Sequence, residues 1–207
     1  MTASNNVDAP SSISRPFISP WWGFYILLVV GYPLFSYLTH HPAPEQYGRV
    51  PPFVLQTQDG NNFMLGSDDR PMIVNFIFTR CPTICPNLTA KMDALQERLS
   101  PEQALLLSIT VDPEYDQPKI LKKYGEQFEA NFTRWYFLTG SPETIQDVSQ
   151  AFQQYYEISE SAQDPDSPPN ITHSEKFILL DQYGYIRGFF DDDPEGLNQL
   201  IKDLKAL

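Results

Sequence analysis

A run without a single charged residue, residues 20–38, is the feature that most constrains how this chain can fold. Built as a helix, the run is about 28 Å long, which matches the thickness of the hydrocarbon core of a bilayer. Trp21 and Trp22 at one end and Tyr37 at the other are typical of the aromatic belts of membrane proteins. The run therefore predicts one transmembrane helix. A cleaved signal peptide is the alternative, but no small-x-small cleavage site comes before the proline-rich residues 41–44.

The predicted anchor divides the chain into four parts: a polar tail (1–19), the span (20–38), a tether (39–50) and a globular region (51–207). Arg15 lies closer to the span than Arg49 does, so the positive-inside tendency favours a cytoplasmic tail. We therefore expect a single-pass protein of the inner (cytoplasmic) membrane whose globular region faces the periplasm. The alternative is the mitochondrial inner membrane, with the globular region in the intermembrane space.

The charge of the chain limits its partners. The formal net charge is −12, and no stripe of Lys and Arg occurs anywhere in the sequence. An acidic chain without a basic patch is a poor partner for phosphate backbones, so nucleic-acid binding is excluded. The same charge suits a basic protein partner or a cationic ligand.

Beyond the tether, apolar strand-like runs alternate with segments of helical periodicity, which predicts an α/β fold with a mixed sheet flanked by helices. The predicted strands are 72–78, 104–111 and 135–138, the predicted helices are 86–99, 117–128, one capped by Ser141, and 194–207, and hairpins are predicted around 59–62 and 181–184. The polar, acidic segment from Glu157 to Asn170 is predicted to be a long loop.

The two cysteines of the chain, Cys81 and Cys85, follow the most apolar predicted strand and indicate one site. We expect Cys81 in the strand–helix loop and Cys85 in the first helical turn, with both sulfurs on one side. The helix N-terminus lowers thiol pKa values and favours the thiolate, which is both the nucleophilic and the metal-binding form. The alternatives to a reactive or metal-binding site are two inert buried cysteines or a structural disulfide.

A metal site needs a third donor, and His173 is the only histidine of the globular region. Two thiolates and one imidazole form a soft, three-coordinate set that suits Cu(I), and its charge also balances Cu(II). Zinc would need a fourth donor, and no further Cys or His exists in this region. A redox pair would need only the two sulfurs. Asp112 ends a neighbouring strand and is the candidate to orient the imidazole or a basic partner, unless it only forms an Asp-Pro turn.

The sequence resembles the SCO/SenC family of membrane-anchored copper proteins. The residues that carry the resemblance are Phe76-Ile77-Phe78-Thr79-Arg80-Cys81-Pro82-Thr83-Ile84-Cys85-Pro86, Ser108-Ile109-Thr110-Val111-Asp112-Pro113 with Asp116, Trp135 with Leu138-Thr139-Gly140, and His173-Ser174 before a strand that ends at Asp181 and Gly184.

The resemblance implies a thioredoxin-like fold with an added β-hairpin, and copper held by Cys81, Cys85 and His173. It also implies a copper chaperone that delivers copper to, or prepares, the binuclear copper site of cytochrome c oxidase. The expected partners are the copper-site subunit of that oxidase and other copper chaperones. The competing function is a thiol–disulfide oxidoreductase that uses Cys81 and Cys85 to reduce the cysteines of that site. A thiol peroxidase is a third and weaker alternative.

Overall fold

The computed structural model describes residues 47–154, 157–159, 170–172 and 176–207, together with three single positions, Trp21, Val29 and Gly31. The chain divides into two compact units, Met1–Pro42 and Ala43–Leu207, and almost all described residues belong to the second. The predicted anchor, residues 20–38, lies outside the described residues apart from the three single positions. In the described part, no helix has the length and apolar character needed to cross a membrane.

The second unit contains nine strands and four helices among its described residues. In chain order they are β1 (Val54–Thr57), β2 (Asn62–Met64), β3 (Met72–Ile77), α1 (Ile84–Arg98), β4 (Leu105–Thr110), α2 (Pro118–Glu126), β5 (Trp135–Thr139), α3 (Pro142–Ala151), β6 (Glu157–Ser159), β7 (Asn170–Thr172), β8 (Phe177–Leu180), β9 (Ile186–Phe190) and α4 (Pro194–Leu204).

Seven of the strands form one mixed sheet in the order β2-β1-β5-β4-β3-β8-β9. The central strands β3, β4 and β5 run parallel, whereas β1 and β8 flank them in the antiparallel direction. Every residue of β3 and of β4 is buried, as expected for parallel strands covered on both faces. The carboxyl ends of β3 and β4 therefore lie side by side at one edge of the sheet, and this edge carries the cysteine loop.

Helices cover both faces of the sheet. Helices α1 and α2 are joined by a hydrogen bond between the Thr89 and Tyr124 hydroxyls, and α1 also contacts α4 through Arg98 and Asn198. On the other face, Phe152 at the end of α3 packs edge-to-face on Phe76 of β3 at a centroid distance of 5.5 Å. This arrangement confirms the predicted mixed sheet flanked by helices, and β1 and β2 form the hairpin that was predicted around residues 59–62.

A buried polar contact ties the three parallel strands together. Ser108 of β4 donates to the Asn75 side chain of β3 at 2.7 Å, and the Trp135 indole N–H of β5 donates to Ser108 at 3.0 Å. All three residues are fully buried. Because a shift of one residue would leave these groups without partners, the contact fixes the register of the strands that carry the site.

The predicted loop between Glu157 and Asn170 differs from the structure at its ends. Strands β6 and β7 pair there as a small antiparallel sheet, with Glu157 opposite Thr172. Apolar alternation did not indicate this pairing, because strands of three residues are too short to show a repeating pattern. Residues 160–169 lie outside the described residues.

Residues 47–50, which the sequence assigns to the tether, pair with the beginning of β9. The Tyr47 N–H donates to the Ile186 carbonyl and the Ile186 N–H donates to the Gly48 carbonyl, while Val50 donates to Gly184 at 2.9 Å. Val50 is buried. Leu180, the last residue of β8, lies opposite Met72 at the start of β3. Because residues 47–50 pair with residues that follow β8 closely, they attach near the start of β3.

Candidate metal centre

The structure places Cys81 in the loop after β3 and Cys85 at the second position of α1, as the sequence predicts. The loop turns tightly, since the Cys81 N–H donates to the Phe78 carbonyl at 3.2 Å. Cys81 is 8% exposed and Cys85 is fully buried. The two cysteines are not joined by a disulfide, so the pair can bind a metal or form a bond with each other.

The Cys81 sulfur faces the free N–H groups at the start of α1. Burial opposes its ionisation, but hydrogen bonds from the backbone of Cys85 and Thr83, from the Cys85 thiol and from the Ile84 backbone outweigh that cost. The Cys85 N–H lies 3.5 Å from the sulfur. These contacts lower the pKa of Cys81 below its ordinary value, which is the direction predicted from the helix N-terminus.

The same prediction is wrong for Cys85. Burial raises the pKa of this thiol strongly, a hydrogen bond from the Phe78 backbone offsets only part of the rise, and the neighbouring Cys81 adds to it. Cys85 lies one turn deeper than Cys81 and is covered by the core, so its charged form is poorly solvated. The two thiols therefore differ in acidity, and Cys81 is the one that ionises more readily.

A buried carboxylate, Asp116, supports the loop from below. It accepts hydrogen bonds from the Thr79 N–H at 3.0 Å, from the Thr79 hydroxyl, and from the Thr110 hydroxyl at 2.6 Å. Burial raises the pKa of Asp116, and the hydrogen bonds from Thr110 and Thr79 oppose this rise. Asp116 thus connects the end of β4 to the residue two positions before Cys81.

Asp112 is the residue expected to orient the imidazole or a basic partner. Its carboxylate forms an ion pair with Arg80. The Arg80 guanidinium donates two hydrogen bonds to one carboxylate oxygen, at 3.1 and 2.8 Å. The guanidinium also lies over the ring of Tyr115, 4.2 Å from its centroid. Together Asp112, Arg80 and Tyr115 form a rim next to Cys81.

Two hydroxyl groups, those of Thr89 and Tyr124, lie on the other side of the thiols. Thr89 donates to the Cys85 carbonyl at 2.8 Å and shares a hydrogen bond of 3.0 Å with the Tyr124 hydroxyl. Burial raises the pKa of Tyr124, so this group stays protonated and can donate. The pair links α1 to α2 directly behind Cys85.

His173 lies outside the described residues. In the sequence it follows β7 directly and stands four residues before β8, which pairs with β3. Among the described residues, no three His, Cys, Asp or Glu side chains converge as a metal-binding group. The structure brings Cys81, Cys85 and Asp112 to one edge of the sheet, and the role of His173 stays a prediction.

Sequence reasoning gave Asp116 and its two threonine partners no role in the site. A usable signal existed, because Thr110 ends β4, Thr79 follows β3, and these parallel strands are neighbours. Hydroxyls at the same edge of the sheet are well placed to share one carboxylate from the following loop. The spacing alone did not say whether Asp112 or Asp116 turns inward.

Comparison with known proteins places the chain in a family. The SCO1/SenC family model matches residues 42–207. A SCO1 protein homolog from Bacillus subtilis is 34% identical over 162 residues, which cover 76% of this chain and 81% of that protein.

Solved structures agree with this match. BsSco, a member of the Sco family of cytochrome c oxidase assembly proteins in which a disulfide switch was identified, is 32% identical and superposes with a TM-score of 0.64, over 80% of this chain and 95% of that chain. ScoI from Arabidopsis thaliana, solved with copper bound, is 25% identical with a TM-score of 0.62, over 77% of this chain and 98% of that chain. The chain therefore belongs to the SCO1/SenC family.

Proposed function

We propose that this protein binds copper through Cys81, Cys85 and His173 and delivers it to the binuclear copper site of cytochrome c oxidase. The observation that carries the proposal is the pair of cysteines at the sheet edge, where the Cys85 N–H lies 3.5 Å from the Cys81 sulfur. Two adjacent sulfurs form a soft donor set, and soft donors select Cu(I). The copper-bound relative and the oxidase-assembly relative support the choice of cargo and of target.

The pKa of Cys81 is lowered and that of Cys85 is raised, and this difference suits an ion that must be bound and then released. Cys81 is the thiol that ionises first, so it is the first ligand to offer a thiolate to the incoming ion. Binding then requires Cys85 to lose its proton, and metal binding at thiols releases protons in general. In release, donors of the recipient replace Cys81, Cys85 and His173 stepwise, and Cys85 takes up its proton again.

The arrangement of the full chain is part of the same proposal. Residues 1–19 form a cytoplasmic tail, 20–38 a membrane anchor, 39–50 a tether, and 51–207 the copper-binding domain in the periplasm. Alkaline-phosphatase fusions after residue 50 test this arrangement, because the enzyme is active only when exported. An inactive fusion in a stably produced protein would contradict the proposed orientation.

The copper site is tested by X-ray absorption on the full-length protein loaded with Cu(I) and with Cu(II). We expect two sulfur donors and one nitrogen donor, with loss of the nitrogen in a His173→Ala variant and a fall in affinity of about tenfold or more, about 1.4 kcal/mol. His41→Ala is the matched control, since it removes a histidine from the proposed tether. Unchanged copper coordination in His173→Ala would remove His173 from the site.

The same variants separate the competing function. A thiol–disulfide oxidoreductase needs only Cys81 and Cys85, so His173→Ala would keep its thiol-exchange rate. A wild-type protein that reduces a model disulfide catalytically but binds no copper would favour that alternative over the metallochaperone.

A further inference from the structure

A groove opens beside the thiols, between the N-terminal turn of α1 and one face of α2. Its volume is about 490 Å³. Aromatic side chains form much of its lining, namely Tyr115, Tyr124 and Phe128, and Pro86 closes the end towards the cysteines. A cavity of this size and apolar character is in the range that holds a ligand of several residues or a small molecule.

The groove lies next to the reactive sulfurs. Its lining includes Thr79, two residues before Cys81, and Pro86, directly after Cys85. Two residues of extended chain span about 7 Å. A polypeptide segment seated in the groove therefore lies beside the loop that carries the two cysteines.

The rim of the groove is already ordered. Tyr115 is 43% exposed, yet its ring is covered by Arg80, which in turn is paired with Asp112. A second large apolar side chain, Ile84, is 38% exposed between the two cysteines. Pre-ordered aromatic and arginine side chains lose little entropy on binding and are enriched at the energetic centres of protein interfaces.

The charge at the groove differs from that of the whole chain. Among the described residues that line the groove, Lys123 is the only charged one, and Lys119 lies one helical turn earlier on α2. Neither lysine pairs with a carboxylate in the described part of the chain. In a protein with a net charge of −12, this is a local site for a carboxylate.

We infer that the groove docks an extended segment of the protein that exchanges copper with this chain, and that this segment carries an aromatic or large aliphatic side chain next to a carboxylate. The apolar side chain fills the space between Tyr115 and Phe128, and the carboxylate pairs with Lys123. The exchange partner in this inference rests on the proposed function, whereas the groove and its chemistry do not.

The test uses metal-free full-length protein and a fluorescein-labelled, capped peptide in which one phenylalanine stands between two aspartates in a glycine–serine frame. A second peptide has lysines for the aspartates, and a third has serine for the phenylalanine. We expect fluorescence anisotropy to give at least fivefold weaker binding for both changed peptides. Lys123→Glu should weaken the acidic peptide at least fivefold and should strengthen the lysine peptide, while Lys202→Glu on α4 is the matched control and should change neither.

The place of binding is measured separately by the rate at which iodoacetamide modifies Cys81. The acidic peptide should slow this reaction in the wild type and in Lys202→Glu but not in Lys123→Glu. Equal binding of the acidic and lysine peptides, no binding of the acidic peptide at 5 mM, or binding without protection of Cys81 would each overturn the inference. The peptide experiments use metal-free protein, so a negative result in them does not affect the proposed copper site. A negative X-ray absorption result likewise does not affect the proposed docking groove.

Discussion

The buried carboxylate beneath the cysteine loop gives the most direct test of how the site is held. Replacing Asp116 with alanine removes the acceptor of three hydrogen bonds, two from Thr79 and one from Thr110. Thr110 is fully buried, so its hydroxyl would be left without a partner away from water.

The size of the effect follows from these contacts. A hydrogen bond to a charged group contributes about 1.5–3 kcal/mol, and the cost of burying the carboxylate offsets part of the sum. We expect Asp116→Ala to lower the free energy of unfolding by about 3–5 kcal/mol. For a chain of this size, that corresponds to a melting temperature lower by about 10 °C.

Guanidinium denaturation of the wild type and the variant measures this difference. Asp59→Ala is the matched control, because it removes the carboxylate of an exposed ion pair with Lys122. Such pairs contribute about 1 kcal/mol or less. Asp116→Ala should also speed the alkylation of Cys81, since Thr79 loses its attachment, whereas Asp59→Ala should not. A loss below about 1 kcal/mol in Asp116→Ala would refute the assigned role of these hydrogen bonds.

The contribution of Asp116 to the free energy of unfolding should fall as the pH rises. Burial raises the pKa of Asp116, so the native chain holds its proton at a pH where the unfolded chain has released it. The stability contributed by this group is complete below about pH 3.9, the unfolded value, and is lost as the pH rises through the native value. Asp116→Asn does not titrate, so the wild type should exceed it in stability by more at pH 4 than at pH 7. A difference that grows with pH would contradict this account.

Two further predictions concern the thiols and the packing of α2. Because the pKa of Cys81 is lowered and that of Cys85 is raised, iodoacetamide at neutral pH should modify Cys81 alone in the folded protein. The pH midpoint of this reaction should lie below that of an unperturbed thiol, and peptide mass spectrometry should find both cysteines modified only after unfolding. Gly125→Ala should destabilise the protein by about 1–2 kcal/mol despite the better helix propensity of alanine, because the added Cβ would lie 2.7 Å from the buried Phe137 ring; a more stable variant in thermal melts would show that the ring can move.

Much of the fold could be predicted from apolar periodicity. The continuous apolar runs became β3 and β4, and the glycine-containing turns at 59–62 and 181–184 join β1 to β2 and β8 to β9. Helix ends were less accurate. Helix α1 begins at Ile84 rather than at Pro86, because proline is accepted anywhere in the first turn, where its missing N–H has no partner to lose.

Only those site residues that lie together in one short motif could be predicted from the sequence. The motif and its position after a buried strand located Cys81 and Cys85. Their opposite acidities were not predictable, because both cysteines lie near the same helix terminus and only burial separates them. Asp116 was among the residues that carried the family resemblance, but its role was not predictable. Asp112 and Asp116 stand in one short loop, and the direction of each side chain depends on tertiary packing.

The attachment of residues 47–50 to β9 affects how the domain is best isolated. Strand β9 is at the end of the sheet, and this short segment covers part of its open side. A fragment cut at residue 51 would leave the Ile186 N–H and the Gly184 and Ile186 carbonyls without their partners and would uncover the core around Val50. Exposed strand edges recruit other chains, so such a fragment should self-associate, whereas one that begins at or before residue 47 should remain monodisperse.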